Sequence, residues 1–140
     1  MASSSMADPI IVREWLSKAD EDFTFAKINL EEDHKFYSQI CFHFHQAAEK
    51  YLKAYIAAYD LEFEKIHNLI ALLKICGKKD ASLLPLLEQC ELLNTVYIDT
   101  RYPVHWPTDY SKEKTLKMQE AASKVAHTVK EFLAKGGISL

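Results

Sequence analysis

Three glycines in 140 residues is a small allowance, and two of them, Gly136 and Gly137, fall at the C-terminal end. A β-rich fold draws on glycine at its turns, so this scarcity argues for an all-α chain before any periodicity is read. Cysteine is sparse as well. Cys41, Cys76 and Cys90 are odd in number and far apart. That excludes zinc and redox spacings and leaves reduced, buried thiols of a cytoplasmic protein as the expectation. No apolar run approaches membrane-spanning length, so no membrane association is expected. There is no glycine-rich phosphate loop, no Gly-x-Ser-x-Gly turn and no Cys/His cluster, and neither metal nor cofactor is expected. Excess positive charge is missing too. A net charge of −3 argues against a duplex-DNA binder.

The charge that is present is unevenly distributed. Residues 12–33 carry seven acids against Arg13, Lys18 and Lys27, whereas residues 112–135 carry six lysines against three acids. Two readings stay open: complementary solvated faces on neighbouring helices, or a shallow phosphate-binding face on the last helix.

Apolar spacing organises the rest. Val12, Leu16, Ala19, Phe23, Ala26 and Leu30 alternate four and three apart, forming one stripe on a helix opened by Asp8 and Pro9. A second helix is expected over 37–59, with Ile40, Phe44, Ala47, Ala48, Tyr51, Leu52, Tyr55 and Ile56 inward. A short one should open at His67, bury Leu69, Leu72, Leu73 and Cys76, and stop at Gly77. Asp80 or Ser82 caps the next, which carries Leu83, Leu86, Leu87, Cys90, Leu93 and Tyr97, with Pro85 in its first turn. Ser111 caps the last, with Met118, Ala122, Val125, Val129 and Phe132 as its stripe. The expected architecture is therefore a four-helix up-and-down antiparallel bundle with one short extra helix. It would occupy residues 8–135, between a disordered or vector-derived 1–7 and a tail at 136–140.

Two stretches hold chemistry. Within "HFHQAAEKYLKAY", His43 and His45 diverge by about 200° on a helix and cannot share a metal. His45, Glu49 and Lys53 fall on one face, either as a solvated ion ladder or as an acid and an imidazole at a cleft edge. Glu31, Glu32 and Asp33 read as exposed charge. The stretch "TRYPVHWPTDYS" (100–111) breaks the helical pattern with Arg101, Tyr102, His105, Trp106 and Tyr110. A guanidinium grips phosphate through paired hydrogen bonds, an imidazole can move a proton, and the rings can stack on an unpaired base. The alternative is that Arg101 pairs with Glu49 or Asp99 while the rings plug the bundle end.

"FHFHQAAEKYLKAYI" (42–56), "KIHNLIALL" (65–73), "YIDTRYP" (97–103) and "YS" before the final helix, in that order, resemble the HEPN domain. The resemblance runs from about Val12 to Leu133. It implies a helical bundle that forms a homodimer and binds nucleotide or single-stranded RNA. It also implies pairing with a minimal nucleotidyltransferase in toxin–antitoxin modules, where the HEPN chain has been described as the substrate-binding subunit. Some branches are metal-independent ribonucleases in which an arginine is followed, after four to six residues, by histidine. Here Arg101 and His105 enclose three residues, Pro103 among them. The resemblance places Arg101, Tyr102, His45, Glu49, Lys50, Lys53 and His67 at a nucleotide or phosphate site, with Arg101 and His105 as the catalytic candidates. The expected function is a nucleotide- or RNA-phosphate-binding partner of a minimal nucleotidyltransferase; the alternatives are a metal-independent ribonuclease using Arg101 and His105 across a dimer, and a non-catalytic interaction module.

Overall fold

The computed structural model describes residues 8–62, 65–101 and 110–139, and the side chains of these except 97–101. Its helices are α1 (Pro9–Glu31), α2 (Tyr37–Ala58), α3 (Leu69–Lys79), α4 (Leu87–Arg101) and α5 (Lys112–Lys135), with a 3-10 segment (Ala81–Leu86) between α3 and α4. No strand occurs among the described residues. The fold is the expected helical bundle: four long helices and the short α3.

Local chemistry accounts for the helix ends. Asp8 accepts from the Ile10 N–H at 2.9 Å with proline following, and Ser111 accepts from the Lys114 N–H at 3.0 Å. Three helices finish the same way, with a left-handed residue just past the cap. Asp33 (φ 61°), Asp60 (φ 50°) and Gly137 (φ 95°) let the next N–H reach back five residues. These bonds run from His34 to Asn29, Leu61 to Ile56 and Ile138 to Leu133, each at 3.0 Å. Two of these three positions hold aspartate where glycine would be unstrained.

Helix directions follow from the cross-links. Arg13 at the start of α1 reaches the Ser139 carbonyl, so α1 and α5 run antiparallel. Cys41 bonds Thr115 while Lys130 lies over the Tyr51 ring, so α2 and α5 run parallel. The α2 helix is the hub, packed against α1, α3, α4 and α5. That position explains why fourteen of its residues are buried, including every member of its expected stripe. The α1 stripe is buried apart from half-buried Phe23.

Several boundaries differ from expectation. Asn68, not His67, caps α3 by accepting from the Ile70 and Ala71 N–H groups. Gly77 lies inside α3, where a Cβ would sit 2.3 Å from Leu84 Cδ2, so the residue permits close packing and the helix runs on to Lys79. Asp80 caps the 3-10 segment that contains Pro85, and α4 begins only at Leu87, which is exposed. Leu133, not the half-buried Phe132, takes the last interior position of α5. Tyr97's side chain and residues 1–7 lie outside the described residues.

Candidate functional site

The α2 helix presents His45, Glu49 and Lys53 one turn apart, and all three are buried, to 1%, 3% and 7% exposure. The solvated-ladder reading is thereby corrected. The residues do share one face, but that face of the hub helix looks into the molecule. Lys53 Nζ donates to Glu49 Oε2 at 2.8 Å and lies 5.6 Å from the centre of the Trp15 ring on α1. His67 Nδ1 stands 3.2 Å from Glu49 Oε2 and 3.3 Å from Oε1, while its ring stays half-exposed. One buried carboxylate therefore links a buried ammonium to an imidazole that opens to solvent.

The chain beyond His67 is held from two sides. Asn68 caps α3, and the buried Asn94 of α4 accepts from the Leu69 N–H at 3.0 Å. These anchors fix the backbone within two residues of the imidazole. Burial lowers the pKa of His45 below its usual 6.5, against the opposing pull of Glu49, so the ring is kept neutral in the interior.

Lys50 is not brought to this group. One residue further along α2 its direction turns by about 100°, and it pairs with Asp22 of α1, which also meets His43 at 3.1 Å. The two histidines thus face apart, as the helical spacing requires. Glu31, Glu32 and Asp33 are exposed. Among the described residues no His/Cys/Asp/Glu group is arranged to hold a metal ion. The three cysteines are free and buried, and burial pushes the Cys76 and Cys90 thiols up to about 12.

The acidic and basic helices meet directly. Lys130 of α5 donates to Asp20 of α1 at 2.9 Å, and Lys112 lies 3.7 Å from Asp33. Complementary faces are thus part of the answer to the charge asymmetry.

Arg101 is the last residue of α4, seven beyond Asn94. Its side chain, Tyr102 and His105 lie outside the described residues. Trp15, Asn94 and Asp60 were not singled out from the sequence. Asn94 carried a usable signal, since it stands four after Cys90 where the α4 stripe calls for an apolar residue. Trp15 lies beside the α1 stripe and carried none.

The model of the HEPN domain matches residues 12–135. The chain belongs to the HEPN family. Among solved structures the HEPN bundle is similar to that of an archaeal HEPN homologue, with a TM-score of 0.70 over 87% of this chain and 97% of that one. The identity is 23%, so this likeness supports the fold and nothing finer. No curated protein matches the chain. In this HEPN protein no helix among the described residues is long and apolar enough to cross a membrane.

Proposed function

We propose that this HEPN protein binds the phosphate of a nucleotide or of single-stranded RNA, as the partner subunit of a minimal nucleotidyltransferase in a toxin–antitoxin-type module. The observation that carries this is the buried Glu49–Lys53 pair with His67 opening onto solvent. Burying an acid and an amine costs several kcal/mol of desolvation that a hydrophobic pair would avoid. Charge kept in the core of the hub helix, beside a half-exposed imidazole, marks a place where charge is used. Arg101 supplies the bidentate cation for phosphate, Lys53 and His67 add to the field, and Glu49 orients both. A homodimer would set two such ends together and raise the local positive potential, offsetting the acidic overall balance.

A second reading is supported by one feature of the same group. A carboxylate that holds Nδ1 of an imidazole is the arrangement of an oriented general base. In a metal-independent ribonuclease acting across a dimer, Arg101 and His105 would share the work with this pair.

The experiment incubates the protein with single-stranded RNA and EDTA, comparing wild type with Arg101→Ala and His105→Ala. The binding reading expects intact RNA and salt-dependent binding that falls at least tenfold in Arg101→Ala. Chelator-resistant cleavage abolished in both variants would move the conclusion to the ribonuclease. Absence of both binding and cleavage would leave an interaction module and overturn the proposal.

A further inference from the structure

On the α1 side of Lys53 lies a cavity of about 150 Å³ lined by Trp15, Lys53, Ile56, Ala57, Asp60 and Leu61. Its walls combine an indole, three aliphatic side chains, an ammonium within the lining and a carboxylate at the exposed rim. We infer that this cavity is a nucleobase pocket selective for cytosine; the inference rests on the nucleotide-binding reading and extends it to the base.

Size comes first. A volume of ~150 Å³ holds one benzene-sized ring, which suits a six-membered pyrimidine better than a bicyclic purine. Shape follows, because an indole among aliphatic neighbours gives an apolar lining on which a flat ring can stack, and any base has a π face. Discrimination then falls to the polar pair. Cytosine carries an exocyclic amine on one edge and a carbonyl oxygen on another. A carboxylate accepts from the cytosine amine but faces the lone pairs of the uracil O4. Asp60 is suited to that role: no ion pair or side-chain hydrogen bond engages its carboxylate among the described residues. Lys53 would face the carbonyl edge, and its bond to Glu49 connects the pocket to the proposed phosphate site.

Asp60 occupies a left-handed position just past α2, with φ 50°, where glycine would fit without strain. Replacing it with glycine therefore removes the carboxylate while suiting the backbone, which makes the test clean.

The test follows the two indole Nε1–H resonances by NMR in the 140-residue chain, with Trp15 assigned from Trp15→Phe. Cytidine, uridine, adenosine and ribose 5-phosphate are titrated separately. Cytidine should shift the Trp15 resonance and bind at least tenfold tighter than uridine or adenosine. In Asp60→Gly that preference should shrink to within about twofold while the remaining spectrum stays folded. A Trp15 resonance that ignores cytidine, or that answers all three nucleosides alike, overturns the inference. The ribose 5-phosphate arm separates the two claims. Phosphate binding lost in Arg101→Ala, with Trp15 silent to cytidine, sinks the base pocket alone. A cytidine response without phosphate binding sustains the pocket and sinks the phosphate site.

Discussion

Glu49 and Lys53 on α2 have the same spacing and the same order as Glu113 and Lys117 on α5, yet they are different objects. The first pair is buried with N and O 2.8 Å apart. The second stands 3.9 Å apart with side chains 84% and 65% exposed. The α5 pair is a surface contact worth a few tenths of a kcal/mol and weakened by salt. The α2 pair has given up its hydration, so each partner depends on the other. What separates them is the position of the helix. The α2 helix is contacted on several sides, whereas the outer face of α5 meets water.

The comparison can be broken most easily at Glu49. Glu49→Gln leaves the Lys53 charge buried without its counter-ion and should cost about 3 kcal/mol in urea unfolding. A loss below about 1 kcal/mol would mean that water reaches the pair, and the contrast with α5 would collapse.

His45, one turn before Glu49, sharpens the same contrast through pH. Its pKa is lowered in the folded state by burial, with Glu49 opposing and His67 and Lys53 adding to the fall. Below the unfolded value of 6.5 the unfolded chain binds the proton more readily, so stability present above that pH is lost as pH falls through it. The melting temperature should therefore drop between neutral pH and about 5.5, and the slope should flatten in His45→Gln. An unchanged slope would place the titration elsewhere.

Asp60 and Asp33 offer a smaller and opposite effect. Both sit at left-handed positions that cost aspartate about 1 kcal/mol, so Asp60→Gly and Asp33→Gly should each raise stability by about 0.5 kcal/mol once the glycine entropy is counted. The two differ in surroundings: Asp33 faces Lys112 across a surface gap, and Asp60 rims the Trp15 cavity. Only Asp60→Gly should alter nucleoside binding, measured by titration alongside unfolding. Smallest of all, Glu113→Gln should change urea stability by no more than about 0.3 kcal/mol.

The bundle was legible because its signals are local and periodic. The stripes of α1 and α2, the Asp8–Pro9 start and the Ser111 cap each follow from spacing or one side chain's chemistry. The site was legible only in its letters. His45, Glu49 and Lys53 share a face by arithmetic, but whether that face meets water depends on which helix becomes the hub, and no spacing within α2 states that. Gly77 misled for a related reason: it reads as a stop in sequence, whereas tertiary contact with Leu84 uses its missing side chain inside α3. The Trp15–Asp60 cavity joins α1 to the end of α2 across more than forty residues, which no local pattern reports. Asn94 was the exception, a polar letter on an apolar stripe.

The most direct trial of the functional claim removes both charges at once. Glu49→Gln with Lys53→Met leaves no uncompensated buried charge, so this double variant should unfold cooperatively and lose less stability than Glu49→Gln alone. Its affinity for a labelled single-stranded RNA, read by fluorescence anisotropy, is the deciding quantity. A folded double variant that binds at least tenfold more weakly than wild type is the predicted result. A folded double variant that binds as wild type does would show the pair to be a structural feature of the core, and the phosphate site would not be there.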